Sequence, residues 1–124
     1  MLNIDVDLKL ADAQNLDFPD SSFDEVVETF VFCSIPDPML GLQEIARVVK
    51  PGGRVFMLEH MRAANSTLGI LMDALNPLTV RMTGANINRR TVENVSRSSM
   101  QLEQVEDLGM GGIFKLIVAR VKEQ

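Results

Sequence analysis

With 124 residues, 46% of them hydrophobic and 23% charged, the chain has the length and composition of one folded domain or a large piece of one, and buries roughly two-thirds of its unfolded surface. No apolar run approaches the ~18 residues of a membrane span, and the first residues have neither a basic nor an apolar leader pattern, so a cytoplasmic protein is expected. The single Cys33 and single His60 exclude an internal disulfide and a cysteine-rich metal site, and a net charge of -5 disfavours nucleic acid as a partner.

Charge is unevenly distributed. Residues 1–34 hold eight acids against Lys9, whereas residues 62–100 hold Arg62, Arg81, Arg89, Arg90 and Arg97 against Asp73 and Glu93. The second stretch is basic through arginine alone, which fits either a solvated helix face or a patch that faces an anion or a membrane surface.

In chain order, Val6–Leu10 alternates with period two and predicts a short strand, and residues 15–22 form a turn-rich loop. Phe23–Val27 predicts a second strand, followed by the apolar run Phe30–Ile35. The best-punctuated element is a helix over 38–49. Asp37 is its N-cap, Pro38 its first residue, Leu42, Ile45, Ala46 and Val49 its apolar face, and Pro51-Gly52-Gly53 its stop. Val55–Leu58, apolar without alternation, predicts a strand buried on both faces. Strand, helix, strand makes a βαβ unit and sets the class as α/β.

Further on, 66–75 predicts a helix broken by Asn76-Pro77, and Asn88 or Thr91 is placed to cap another helix that carries Val92 and Val95 inward to about Ser98. Strands over 102–108 and 113–121, separated by Gly109, Gly111 and Gly112, predict a hairpin at the sheet edge.

Open α/β sheets bind ligands beyond the carboxyl ends of their strands, which directs attention to Asp12-Ala13-Gln14, to 28–34 and to Glu59-His60. The stretches Ala11-Asp12-Ala13-Gln14-Asn15-Leu16-Asp17-Phe18-Pro19-Asp20-Ser21-Ser22-Phe23-Asp24, Ile35-Pro36-Asp37-Pro38 and Glu44-Ile45-Ala46-Arg47-Val48-Val49-Lys50-Pro51-Gly52-Gly53 stand in order over residues 6–60. Together they resemble the central and later motifs of class I S-adenosylmethionine-dependent methyltransferases of the ubiquinone/menaquinone-biosynthesis type. Phe32-Cys33-Ser34-Ile35, Leu58-Glu59-His60 and 84–89 further resemble the branch acting on phospholipid amines or small thiols.

The resemblance implies a Rossmann-like methyltransferase fold, mostly parallel with a C-terminal antiparallel hairpin, and S-adenosylmethionine as cofactor. Asp12 is then expected to accept from the adenine amino group, the Ala13 N–H to meet the ring, and Leu16 to pack on it. Thr29, Phe30 and Val31 would line the methionine moiety. In-line methyl transfer is mostly positioning, with a base needed only where the acceptor must lose a proton. Glu59 and His60, with Glu28, are the candidate bases. Arg89 and Arg90 are candidates to hold an anionic group of the acceptor, a small molecule or a lipid headgroup. Met61, Met72 and Met82 fall in the stretch where this family covers its substrate, and Cys33 reads as a small buried hydrophobe.

The family's opening Gly-rich turn and the acid after its second strand have no counterpart here, so the chain is expected to be the C-terminal portion of a methyltransferase domain, over 1–124. Its sheet would carry an exposed edge for a second copy or a complementary fragment to cover. Two functions follow: methyl transfer, or a non-catalytic fragment or partner subunit.

Overall fold

A computed structural model describes residues 3–63, 65–87, 89–109 and 113–123. The predicted acids and apolar residues around β1 (Phe23–Thr29), α1 (Pro38–Val48) and β2 (Val49–His60) fold as expected into strand, helix, strand. Asp37 Oδ1 accepts from the N–H groups of Met39 and Leu40, and Pro38, which has no N–H to lose, opens the helix. Val49 leaves helical geometry to start β2, so α1 ends one residue before its predicted limit.

Four strands form one sheet in the order β1-β2-β4-β3, with α2 (Ser66–Thr83) and α3 (Thr91–Arg97) preceding β3 (Met100–Asp107) and β4 (Phe114–Val121). β1 runs parallel to β2, while β4 pairs antiparallel with both β2 and β3. The sheet is therefore mixed, not mostly parallel, among the described residues. The hairpin forms as predicted and places β3 at the edge. Gly109 (φ 105°) turns the chain there; Gly111 and Gly112 lie outside the described residues, as does Asn88.

Successive strand residues point to opposite faces, and the two faces differ. Val55, Met57 and Glu59 of β2 are buried beneath α1 and α3 together with Ile117 and Ala119 of β4. Leu42 and Ile45 from α1, Val95 from α3 and Phe32 from the turn after β1 complete that core. Phe56, Leu58 and His60, on the opposite face, are half-buried. The strand expected to be buried on both faces is covered on one.

Three further expectations are corrected. Residues 3–10 are exposed and form no strand, because no neighbouring strand among the described residues takes their backbone hydrogen bonds. The helix predicted to stop at Asn76 runs on to Thr83 with Pro77 inside it. Pro77 removes one helical donor, and Thr79 Oγ1 bonds back to Leu75 O and Asn76 O beside it. Thr91 is the first helical residue of α3, not its cap; the cap position is Arg90, without a side-chain bond.

Candidate active site

The turn leaving β1 is built from strained backbone and buried carboxyls. Phe30 adopts φ 55°, a left-handed conformation rare for an aromatic residue, and its N–H still bonds Leu58 O across the parallel pair at 2.9 Å. Glu28 Oε2 accepts from the Val31 N–H (3.2 Å) and Glu59 Oε1 from the Phe32 N–H (2.9 Å), so the two glutamates hold the turn from beneath. Cys33 is buried and its thiol donates to Phe30 O.

Glu28 and Glu59 lie side by side on the packed face of adjacent strands. Burial, the hydrogen bond to Glu59 and the Glu59 charge, in that order, push the Glu28 carboxyl up to about 9, only partly offset by the Val31 N–H. Glu28 Oε1 and Glu59 Oε2 are buried and find no donor among the described residues. A proton kept on Glu28 makes that carboxyl a donor to Glu59.

On the opposite face, the Phe30 ring lies over His60 with centroids 5.7 Å apart and planes 33° apart, and Phe114 meets both edge-on at 6.3 and 6.4 Å. Thr29 and Phe30 are exposed beside this cluster.

The loop that precedes β1 is fixed to α1. Asp12 Oδ1 accepts from the Gln14 N–H (2.9 Å) in a tight turn that leaves the carboxylate exposed, and the Gln14 side chain in turn accepts from the Asp37 N–H (2.7 Å). Glu44 Oε2 takes the Leu16 N–H at 2.7 Å. Arg47 donates to Leu16 O, Phe18 O and Asp20 Oδ1 while paired with Glu44. The hydrogen bonds from Arg47, with that of the Leu16 N–H and the Arg47 charge, hold the Glu44 carboxyl below its usual value against its partial desolvation. Ala13 and Leu16 are half-buried along this loop.

A third segment closes over the first. Asn86 donates its backbone N–H (2.6 Å) and side-chain amide (3.2 Å) to Cys33 O, and Arg89 donates to Ile35 O (2.9 Å) while its buried Nε has no partner. Arg90 is exposed, 3.8 Å from Glu93. Arg90 borders an open cavity of about 470 Å3 together with Met61, Arg62, Val105 and Lys115.

Thus Phe30 meets His60, Glu28 meets Glu59, and Arg89 reaches the turn after β1, while Arg90 faces another cavity. The three methionines do not share a pocket. Met61 is in the core, the Met72 sulfur accepts from the Ala63 N–H, and Met82 points to solvent. Glu44 and Arg47 went unassigned in the sequence although their spacing of three on a helix places them on one face. Asn86 lies in the stretch 84–89 that the resemblance singles out, but no role attaches to it there.

A two-faced α/β sheet with turns at the carboxyl ends of β1 and β2 is part of a Rossmann-like methyltransferase fold. Residues 2–57 match a family model described as a methyltransferase domain. The chain is 35% identical over 89 residues to a thiol S-methyltransferase of Rattus norvegicus, covering 70% of this chain and 36% of that one. It is 38% identical over 69 residues to a phosphatidylethanolamine N-methyltransferase of Cereibacter sphaeroides (56% and 34%). Over 64 residues it is 39% identical to a ubiquinone/menaquinone biosynthesis C-methyltransferase of Azotobacter vinelandii (52% and 25%). A solved SAM-dependent methyltransferase of Methanosarcina mazei superposes with a TM-score of 0.69 at 22% identity, over 94% of this chain and 67% of that one, a likeness of fold. These likenesses all lie with S-adenosylmethionine-dependent methyltransferases, the ubiquinone/menaquinone-biosynthesis type among them. It spans about a third of the length of the curated relatives it matches.

Proposed function

We propose that this chain is the later portion, over residues 1–124, of a cytoplasmic methyltransferase domain, and that it transfers a methyl group from S-adenosylmethionine to a small molecule or lipid headgroup and not to nucleic acid. The observation that carries this reading is the left-handed Phe30, stacked on His60 where two parallel strands end. Strain of this kind persists where the surroundings impose it, and it presents Thr29 and Phe30 to the opening at the sheet's carboxyl end.

The residues present fit part of the cofactor. Asp12 offers an exposed carboxylate to an amino group, Ala13 and half-buried Leu16 a partly apolar shelf, and Thr29, Phe30 and Val31 a stretch at the carboxyl end of β1 for the methionine moiety. When bound, S-adenosylmethionine supplies an electrophilic methyl group on a sulfonium. His60, half-buried under Phe30, is then the base for an acceptor that loses a proton. Glu59, enclosed beneath the turn with Glu28, acts by holding Phe32 in place. Arg89, with its unpartnered Nε, is the side chain that takes an anionic group of the acceptor, with Arg90 as an outer contact.

Calorimetric titration with S-adenosylhomocysteine tests this: saturable binding is expected, lost in Asp12→Ala. No binding by a folded sample would favour a second reading, a non-catalytic partner subunit. That reading draws support from the exposed Ile4, Val6, Leu8 and Leu10, which a second copy or complementary chain would cover.

A further inference from the structure

The turn that leaves β1 rests on two enclosed carboxyls. Glu28 and Glu59 are 7% and 0% exposed, and each holds one amide of the turn: the Val31 N–H reaches Glu28 at 3.2 Å and the Phe32 N–H reaches Glu59 at 2.9 Å. The second oxygen of each, Glu28 Oε1 and Glu59 Oε2, is buried with no partner among the described residues. The turn they carry contains the left-handed Phe30, φ 55°, whose carbonyl takes the Cys33 thiol.

The charged and titratable groups around the pair are committed elsewhere. Arg89, from the segment that closes over the turn, donates to Ile35 O. Lys115, opposite Glu59 on β4, is paired with Asp107. The buried residues of α3, Thr91 and Val95, carry no charge, and His60 lies on the other face against the Phe30 ring. Two carboxylates enclosed together lose hydration and repel, whereas a proton on one of them turns the repulsion into a hydrogen bond. Burial, the bond to Glu59 and the Glu59 charge keep that proton on Glu28 up to about 9, against the pull of the Val31 N–H. Its loss leaves two like charges beneath a strained turn. The repulsion eases when one carboxylate swings out to water, and either departure takes a hydrogen bond from Val31 or Phe32.

We propose that Glu28 is a positioning residue: its protonated carboxyl, bonded to Glu59, clasps the turn over residues 29–33, and loss of the proton releases the turn together with the stretch it offers to the methionine moiety. The effect on the ligand rests on the methyl-transfer reading, while the clasp stands on the two amide bonds alone.

Two readouts keep these apart. In the chain without ligand, carbon-13 NMR of the Glu28 carboxyl should titrate near about 9, and the Val31 and Phe32 amide resonances should move with the same midpoint. Glu28→Gln, whose amide accepts from Val31 and donates to Glu59 as the acid does, should remove that movement. In calorimetric titration, wild-type affinity for S-adenosylhomocysteine should fall roughly tenfold between about pH 7.5 and about pH 10, one unit above the midpoint, as the clasped population falls. The ligand's own amino group loses its proton in this range equally for both proteins, so the difference between them is the measure; Glu28→Gln should retain affinity about tenfold better than wild type at the higher pH. Should Glu28→Gln not fold, the wild-type NMR titration decides. The proposal is overturned if Glu28 titrates in the ordinary carboxylate range, if the two amides do not follow it, or if folded Glu28→Gln loses affinity as wild type does. No ligand binding at about pH 7.5 with the amides still following Glu28 would support the clasp and count against the methyl-transfer reading.

Discussion

The two faces of the sheet carry similar apolar residues and do different things with them. Beneath α1 and α3, Met57 and Ile117 pair across β2 and β4 and are fully enclosed; on the other side, Leu58 and Leu116 pair one position along and stay half-buried. Neighbours in sequence, with comparable side chains, thus differ in what they contribute, because the contribution follows the water removed and not the residue type. The carboxyl ends follow the same division. The packed face ends in the buried Glu28–Glu59 pair, and the open face ends in the Phe30, His60 and Phe114 rings.

The sharpest way to break this contrast is truncation on each side. Met57→Ala should cost about 2–5 kcal/mol in urea unfolding, and Leu58→Ala about 1 kcal/mol; equal losses would mean that the open face is also closed in solution. The next effect is pH dependence. Glu28 is neutral when folded, up to about 9, and ionises near 4.5 when unfolded, so the folded state binds the extra proton between those values. The contribution of Glu28 to stability is then fully present below about 4.5, declines as pH rises toward 9 and levels off beyond. Glu28→Gln should flatten that decline in unfolding midpoints measured across the range, while His60→Gln, on the open face, should leave it in place. The smallest effect concerns Phe30. Asn tolerates its left-handed backbone and a β-branched residue does not, so Phe30→Val should be less stable than Phe30→Asn by about 1 kcal/mol.

Much of this was legible where local chemistry and tertiary packing agree. Asp37, Pro38 and the Leu42–Ile45 face define α1, and Gly109 stands where the chain turns between β3 and β4. Legibility failed where one signal depends on a distant partner. Val6–Leu10 alternates like a strand, yet a strand exists only against another strand. Pro77 reads as a breaker because its cost is local, while Asn76, Asn86 and Ile87 hold that part of the helix in place from ten and eleven residues away. At the site, position after a strand singled out Glu59 and His60 alike. Which of them is enclosed depends on strand parity relative to α1, and that is fixed only when the sheet is assembled.

Arg47 illustrates what such assembly does to motion. One guanidinium on α1 gathers Leu16, Phe18 and Asp20 from a segment about thirty positions earlier, and its neighbour Glu44 takes the Leu16 amide. These bonds have a common origin, so they open together: the loop cannot loosen at Leu16 and remain held at Phe18 once Arg47 swings away. The loop and the second half of the helix therefore fluctuate as one cooperative unit. A ligand that quiets residues 12–16 will slow amide exchange in α1 as well, across a gap that no atom of the ligand spans.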